Sequence, residues 1–546
     1  MLNCQFLLLL LFPVAVITDS TTATFQRLHN SKPNFILIFI DDTGYGDYSF
    51  NDHNRTDTPH LQALAEQGLT FDDFHSGASV CTPSRAALLT GRLGLRTGVK
   101  SNFGPFSRYG LPLNETTIAE LLKKVGYKTA AAGKWHLGHR PPHSPIHRGF
   151  DTFLGLPMSH DYGCTDHAGY DISCKHRFQD VCHPKNIDLA DPSVCHIGPN
   201  NPWNESIPLY RDDTIVEQPV DLTTLSDRYV TFAIDFIQNV TSLSQDEAPF
   251  FVYLPFNHMH VPIGNHRPSF TNTSIDRGVY GDTLRQLDAS IGTLMQALID
   301  LQVENNTLII VTGDNGAPSD QCEYGGLNSP FTGDWLSNTY KNGGGTGKTT
   351  TWEGGHREPG LAVWPMHIRA GSRSSVTVSA LDILPTFAAL AGVEVPAHRH
   401  FDGIDISSVL FDQATETSRT ALFHPNSGCE GIIGEIETVR IQNFKAKWRT
   451  GASSTGNHCN SCSGGVAPDV YHNPPLLFDL DVDKQESMPL PSTDSRYASV
   501  LQSMRNALNN IYVDVENDNT TVANYASDTS MKPCCNASHR FCMCEE

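Results

Sequence analysis

Three short apolar runs constrain the fold of this chain more than any other feature of its sequence. They cover residues 35–40, 250–254 and 307–312, and each has the length and composition of a strand buried on both faces. Apolar residues recur at helical spacing in four segments, which are residues 59–65, 116–125, 283–301 and 379–391. Strands that alternate with helices predict an α/β fold, with helices on both faces of one sheet.

The amino-terminal segment predicts entry into the secretory pathway. Residues 6–17 form an apolar run that is too short for a bilayer, which needs about 20 residues, and a polar stretch follows. We interpret residues 1–18 as a signal peptide and expect no membrane span. Eight Asn-x-Ser/Thr sequons support an extracellular or lysosomal protein. The sequon asparagines are Asn54, Asn114, Asn204, Asn239, Asn272, Asn305, Asn519 and Asn536.

The charge of the chain argues against a nucleic-acid partner. The sequence has 38 Lys and Arg residues against 59 Asp and Glu residues, which gives a formal net charge of −21. Binding a polyphosphate requires clustered positive charge. We therefore expect no nucleic acid among the partners of this protein.

Acidic and amide side chains follow two of the predicted strands. Asp41 and Asp42 come directly after the first apolar run, and Asp314 and Asn315 come after the third. The carboxyl ends of parallel strands form the ligand-binding edge of an α/β sheet. Oxygen donors of this kind suit Ca²⁺ or Mg²⁺. The alternative is that each aspartate caps a turn or a helix.

A cysteine precedes a predicted helix. The segment from Cys81 to Arg92 reads CTPSRAALLTGR, and Pro83 fits the first position of a helix. Cys81 would then lie just before a helix N-terminus, where backbone N–H groups favour an anion, with Arg85 on the first turn. The alternative is that Cys81 forms one half of a disulfide.

The same segment resembles the signature of the formylglycine-dependent sulfatase family, whose Cys-x-Pro-x-Arg motif directs oxidation of the cysteine to formylglycine. Residues 41–47 and 133–138 resemble further blocks of that family, and residues 153–161 and 347–359 resemble arylsulfatase A in particular. The resemblance implies an alkaline-phosphatase-like catalytic domain over residues 32–435, with a large mixed sheet flanked by helices. It also implies a smaller α+β domain over residues 436–546, with a four-stranded antiparallel sheet and a disulfide-rich tail.

The resemblance assigns roles to individual residues. It implies a Ca²⁺ or Mg²⁺ ion held by Asp41, Asp42, Asp314, Asn315 and the formylglycine made from Cys81. It places six residues around that group: Arg85, Lys134, His136, Ser159, His260 and Lys348. His258 competes with His260 for the position next to the sulfate, and the sequence context favours His260.

The chemistry implied is hydrolysis of a sulfate ester. Hydrated formylglycine provides the nucleophile and forms a covalent sulfate ester, with Asp314 as a base and His260 or Lys348 as the acid for the leaving group. His136 then takes the proton from the second hydroxyl as sulfate leaves. Lys134, Ser159, His260 and Lys348 bind the substrate, which is a sulfated small molecule, lipid or glycan.

Two rival functions stay open at this point. One is a phosphatase or phosphodiesterase of the same superfold, although a Ser or Thr nucleophile would be typical of that class. The other is a secreted matrix or binding glycoprotein that keeps the fold. The family resemblance also implies a formylglycine-generating enzyme as a biosynthetic partner and a homodimer as a possible assembly.

The cysteine count agrees with this interpretation. Of 14 cysteines, Cys4 leaves with the signal peptide and Cys81 is modified, so twelve remain for six disulfides. We expect two bridges in each of three groups. The groups are Cys164, Cys174, Cys182 and Cys195; Cys534, Cys535, Cys542 and Cys544; and Cys322, Cys429, Cys459 and Cys462.

Overall fold

The structure is a computed structural model of the 546-residue chain. It describes residues 32–52, 54, 57–163, 171–173, 176–178, 206–243, 248–261, 263, 266–274, 277–318, 324–340, 345–451, 467–538, 542 and 544. The predicted signal peptide, Asn204 and seven of the cysteines expected to pair lie outside these ranges. Those cysteines are Cys164, Cys174, Cys182, Cys195, Cys322, Cys459 and Cys462.

A large mixed sheet forms the centre of the protein. Thirteen strands precede residue 380 in the described part of the chain: β1 (Asn34–Ile40), β2 (Leu69–His75), β3 (Lys128–Ala132), β4 (Thr152–Gly155), β5 (Asp171–Ser173), β6 (His176–Phe178), β7 (Leu209–Arg211), β8 (Thr214–Glu217), β9 (Phe250–Phe256), β10 (Thr307–Gly313), β11 (Arg357–Val363), β12 (Ser372–Ser374) and β13 (Val378–Ser379). β5 and β6 pair with each other. The other eleven form one sheet in the order β12-β2-β11-β10-β1-β9-β3-β4-β7-β8, and β13 also pairs with β2.

The three apolar runs are the central strands of this sheet, as predicted. β1 is fully buried and lies parallel to β10 on one side and to β9 on the other. The register pairs Ile40 with Gly313 and with Phe256, so the three strands end together. The segments that follow β1 and β10 are therefore neighbours at the carboxyl edge of the sheet.

Helices cover both faces of the sheet. The described helices are α1 (Pro59–Gln67), α2 (Cys81–Thr90), α3 (Gly94–Thr97), α4 (Ile118–Lys123), α5 (Leu225–Leu243), α6 (Gly278–Asp300), α7 (Asp334–Thr339), α8 (Glu353–His356), α9 (Ile383–Ala391), α10 (Ser407–Leu410) and α11 (Tyr497–Glu516). Alternate residues of β1 point to opposite faces. Phe35 and Leu37 join the core that contains α2, α4 and α9. Ile36 and Ile38 join the core that contains α1, α5 and α6.

The carboxyl-terminal part forms a second, smaller α+β unit. Its antiparallel sheet contains β14 (Leu422–Pro425), β15 (Ile436–Ile441), β16 (Phe444–Thr450) and β17 (Val470–Asp479), in that order. Val439 and Leu477 on this sheet pack against Leu501 and Met504 of α11. The predicted four-stranded antiparallel sheet is confirmed. The small sheet includes β14, which precedes residue 435, and the domain boundary at residue 435 stays a prediction.

The tail cysteines pair with one another, as predicted. Cys534 bonds to Cys542 and Cys535 bonds to Cys544. Cys429 is also disulfide-bonded. Six of the described sequon asparagines are exposed and Asn536 is partly buried, while their glycosylation stays a prediction. No helix in the described part of the chain is long and apolar enough to cross a membrane.

A buried ion network joins the small sheet to the large one. Glu353 of α8 accepts hydrogen bonds from Arg357 and from Lys445 of β16, which lies 3.0 Å away. Arg440 of β15 forms an ion pair with Asp73 of β2 at 2.6 Å. A buried charge without a partner lowers the stability of the fold, so the charged residues of each sheet need their partners on the other.

We expect Lys445→Met to destabilise the protein strongly. The Lys445 ammonium group lies 3.0 Å from both Glu353 and Glu486, and its side chain is fully buried. Its loss leaves two buried carboxylates short of a cation and should lower the free energy of unfolding by about 3–5 kcal/mol in urea denaturation. Arg496→Met is the control, because the Arg496 side chain is 49% exposed and solvent screens its charge. An equal effect of the two substitutions would contradict the assignment.

Candidate active site

The carboxyl edge of β1 and β10 holds three carboxylates in a small volume. Asp41, Asp42 and Asp314 are all buried, together with Asn315. The backbone N–H of Asp314 donates to the carbonyl of Ile40 at 3.0 Å, which continues the pairing of the two strands. The backbone N–H of Asp42 donates to Oδ1 of Asp314 at 3.1 Å. The sequence-predicted acidic cluster is thus brought together by the register of two parallel strands.

Cys81 is the first residue of α2, so the helix begins two residues earlier than the prediction. Val80 is the extended N-cap, and Pro83 occupies the third helical position instead of the first. Proline is tolerated there because the first N–H groups of a helix have no partner within the helix. The Cys81 thiol therefore lies within the first turn, at the positive end of the helix dipole.

Cys81 is buried and forms no disulfide. This excludes the alternative in which it is one half of a bridge. Burial raises the pKa of the Cys81 thiol to about 12. The unmodified thiol is therefore protonated at neutral pH and is a poor nucleophile, because the thiolate is the reactive form.

Arg85 and Lys134 neutralise the carboxylates from the α2 side. Arg85 Nη2 donates to Asp314 Oδ2 at 2.7 Å and lies 3.2 Å from Asp41 Oδ1. Lys134 Nζ donates to Asp41 Oδ2 at 2.7 Å and to the Ser159 hydroxyl at 3.0 Å. Burial opposes the charge of Lys134, but the acidic groups around it, of which Asp41 contributes most, together raise the pKa of Lys134. The ammonium group therefore stays charged.

Lys348 and His260 close the opposite side of the cluster. Lys348 Nζ lies 2.7 Å from Asp42 and 3.1 Å from Nε2 of His260. His260 Nδ1 lies 2.6 Å from the carbonyl of Val261, so Nδ1 carries the proton and Nε2 is the acceptor. Burial and then the charges of Lys348 and Lys134 hold the pKa of His260 well below its usual value. His260 is therefore neutral next to a charged lysine.

The structure separates the two competing histidines. Nε2 of His258 accepts a hydrogen bond from the backbone N–H of Ser226 at 2.9 Å, on α5. Nε2 of His260 lies 3.5 Å from the Ser159 hydroxyl and 3.5 Å from Asp42. His260 thus lies in the cluster, and His258 packs behind it.

His136 has a free nitrogen and a fixed tautomer. Its Nε2 lies 3.1 Å from the carbonyl of Phe103, so Nε2 carries the proton. Its Nδ1 is buried and has no hydrogen-bond partner. Burial and then the charge of Lys134 hold the pKa of His136 well below its usual value. His136 is therefore a neutral base with an available nitrogen.

The sequence does not predict the roles of Asn102 and Phe103, which contact the site. Asn102 Oδ1 accepts the backbone N–H of Thr82 at 3.0 Å, and the Phe103 carbonyl accepts from His136. Neither residue belongs to a motif in the sequence. Their roles depend on a backbone carbonyl and on one amide, which leave no pattern in the sequence.

The donor set fits a divalent cation. Asp41, Asp42, Cys81 and His260 each offer one ligand atom, and these atoms all lie within 4.8 Å of one another. Asn315 Oδ1 is buried without a hydrogen-bond partner, as an oxygen reserved for a metal would be. Burial, followed by the charge of Asp41, raises the pKa of Asp314 to about 7. A cation would offset that repulsion.

Buried carboxylates paired with arginine and lysine side chains, and a cysteine at a helix N-terminus, are features of a hydrolase of anionic esters built on an α/β sheet. Residues 33–393 match the profile of the family described as Sulfatase, and residues 417–544 match the C-terminal region of aryl-sulfatase. The chain belongs to the sulfatase family and is a sulfuric ester hydrolase.

Curated relatives and solved structures agree with this assignment. Arylsulfatase G of Canis lupus familiaris is 43% identical over 517 residues, covering 94% of this chain and 91% of the relative. Arylsulfatase A of Bos taurus is 39% identical over 480 residues, covering 87% of each. The crystal structure of the PsFucS1 sulfatase from Pseudoalteromonas sp. matches with a TM-score of 0.74 at 24% identity, covering 91% of this chain and 93% of that one. The predicted alkaline-phosphatase-like fold is confirmed.

We expect Asp41→Asn to weaken Ca²⁺ binding by about 100-fold, because the affinity of an oxygen site falls with its charge. Isothermal titration of Ca²⁺ and of Mg²⁺ into EDTA-treated protein measures both affinities and identifies the preferred ion. Asp288→Asn is the matched control, because Asp288 is equally buried but accepts the N–H groups of His60 and Leu61. Unchanged affinity in the Asp41 variant would exclude this metal site.

Proposed function

We propose that this sulfatase is an arylsulfatase that uses formylglycine made from Cys81 to hydrolyse aryl sulfates and sulfated lipids or glycans. The observation that carries the proposal is the state of Cys81, which is free and buried at the N-terminus of α2. A thiol with a pKa of about 12 has no reactivity of its own there. Oxidation to the aldehyde gives the position a function, because the hydrated aldehyde supplies a nucleophilic hydroxyl and a second hydroxyl through which sulfate is released.

A divalent cation completes the site in this proposal. Asp41, Asp42, Asp314, Asn315 and the modified Cys81 would hold Ca²⁺ or Mg²⁺. Bound there, the ion would supply positive charge to the sulfate oxygens and lower the pKa of a coordinated hydroxyl. Arg85 holds the carboxylate of Asp314 at 2.7 Å and thus fixes one of these ligands.

Four side chains bind the sulfate group in this proposal, namely Lys134, Ser159, His260 and Lys348. Lys134 and Lys348 are charged, and both point into the cluster where negative charge develops on the sulfate oxygens. Ser159 lies within hydrogen-bond distance of Lys134 and 3.5 Å from His260, so its hydroxyl can orient both. The net charge of the chain is −21, but the local charge around the ester is balanced by these cations.

Two histidines transfer protons in different steps of the reaction. Nζ of Lys348 lies 3.1 Å from Nε2 of His260, which accepts, so this pair delivers a proton to the leaving alcohol or phenol. His136 presents an unprotonated Nδ1 and accepts the proton that is lost as sulfate departs. Asp314 is the base for the attacking hydroxyl in this proposal.

The compartment follows from the same proposal. A signal peptide over residues 1–18, exposed sequons and the tail disulfides fit the secretory pathway, with an extracellular or lysosomal destination. A formylglycine-generating enzyme would act on the Cys81 segment before folding, because Cys81 is buried in the folded chain.

The modification of Cys81 is directly measurable. Mass spectrometry of the Cys81 peptide from the native source should show a loss of about 18 Da, and Cys81→Ala should abolish turnover of a chromogenic aryl sulfate. Unmodified cysteine would exclude the mechanism. Turnover of a phosphate ester in preference to the sulfate would favour the phosphatase alternative. Full modification without turnover would favour the binding glycoprotein.

His260→Gln should slow hydrolysis most when the leaving group is a poor one. We expect a loss of about 100-fold or more in kcat for an alkyl sulfate and a much smaller loss for 4-nitrophenyl sulfate, whose leaving group needs no proton. His258→Gln is the control and should behave like wild type with both substrates, since His258 contacts Ser226 instead of the cluster. Equal losses of kcat with both substrates would contradict a role for His260 in proton transfer to the leaving group.

A further inference from the structure

The chain that follows α11 returns to the catalytic domain. We name residues 519–532 the tail strap. Three backbone hydrogen bonds join it to residues 96–108: Thr521 N to Arg96 O at 2.7 Å, Arg108 N to Ala526 O at 3.0 Å, and Asp528 N to Phe106 O at 2.9 Å. Gly98 marks the closest approach, because a Cβ there would lie 2.5 Å from the backbone nitrogen of Ala523. The strap therefore lies against this loop between residues 521 and 528.

Tyr525 makes the central contacts of the strap. Its hydroxyl accepts the backbone N–H groups of Lys100 at 2.7 Å and of Ser101 at 3.0 Å. Its ring stacks on Phe103 with centroids 5.1 Å apart. One side chain thus fixes both the backbone and the aromatic ring of residues 100–103.

The same loop contacts the active site on its other side. Asn102 accepts the N–H of Thr82, the second residue of α2, and the carbonyl of Phe103 accepts Nε2–H of His136. The hydroxyl of Thr82 in turn donates to the carbonyl of His136 at 3.0 Å. Residues 102 and 103 therefore lie between Tyr525 and two groups of the site.

We propose that Tyr525 is a positioning residue for His136, acting through the loop of residues 98–103. The inference rests on the proposed function for the role of His136 as a base. The Phe103 carbonyl keeps the proton on Nε2 and leaves Nδ1 as the acceptor. If the loop moves, that hydrogen bond lengthens, and the imidazole is free to rotate or to change its tautomer.

This role predicts a specific kinetic effect. His136 is neutral and acts after the leaving group has departed, so its misplacement should slow the release of sulfate, which lowers kcat and KM together and leaves kcat/KM nearly unchanged. We expect Tyr525→Phe, which keeps the ring stack and removes the hydroxyl, to lower kcat about five- to tenfold. Tyr525→Ala should lower it further.

Tyr512→Phe is the matched control. Tyr512 and Tyr525 are 36% and 39% exposed, and the hydroxyl of each accepts backbone N–H groups. The partner of Tyr512 is Ile436 in the small unit, which does not contact His136. This variant should keep the wild-type kcat and KM even if its thermal stability falls as much as that of Tyr525→Phe.

Three measurements on the full-length enzyme decide the proposal. Kinetics with a chromogenic aryl sulfate give kcat and KM, and mass spectrometry confirms equal formylglycine content in every variant. Hydrogen exchange of the peptide covering residues 98–108 should be faster in Tyr525→Phe and unchanged in Tyr512→Phe. Wild-type kcat in Tyr525→Phe, a loss explained by lower formylglycine content, or unchanged exchange would overturn it.

The outcomes also separate this inference from the proposed function. If the wild-type enzyme turns over no aryl sulfate, the proposed function fails, and with it the role of Tyr525 in catalysis. If the wild type is active and Tyr525→Phe equals it, only the inference about Tyr525 fails.

Discussion

The charge balance at the carboxyl edge of β1 and β10 governs the rest of this structure. Parallel pairing of the two strands places Asp41, Asp42 and Asp314 side by side in the interior. Three buried carboxylates repel one another unless cations lie within a few ångströms. Those cations come from different parts of the chain, namely Arg85 on α2, Lys134 after β3 and Lys348 before α8. The sheet carries the aspartates, and the connecting segments converge to bring the arginine and lysine side chains to them.

The small carboxyl-terminal unit takes part in that convergence. Lys348 is followed by Thr349, a β-branched residue in the left-handed region at a φ of 71°, which is strained. The backbone N–H of Thr349 donates to the carbonyl of Ser79 at 2.6 Å. Two residues further on, Thr351 contacts Glu430 and Lys447 of the small unit. Contacts from the small unit thus help to hold the segment that carries Lys348 in a conformation it would not adopt alone.

Much of the fold followed from the sequence because buried parallel strands are nearly continuous apolar runs. The predicted runs at 35–40, 250–254 and 307–312 differ from β1, β9 and β10 by at most two residues at either end. Helix ends were less predictable. α6 begins at Gly278, five residues before its apolar stripe, and Pro83 lies in the third position of α2 because a helix start tolerates proline at more than one place.

The sequence by itself determined the chemistry: acids after two strands, a cysteine near the start of a helix, and a motif that identifies the family. These features are local, so spacing along the chain reveals them. Only the tertiary structure decided that His260 and not His258 joins the cluster, that Phe103 sets the tautomer of His136, and that Tyr525 fixes the loop between them. Tyr525 and Lys100 are 425 residues apart and meet through one hydroxyl. Such a contact has no period or motif, and it exists only once the two parts of the chain have packed together.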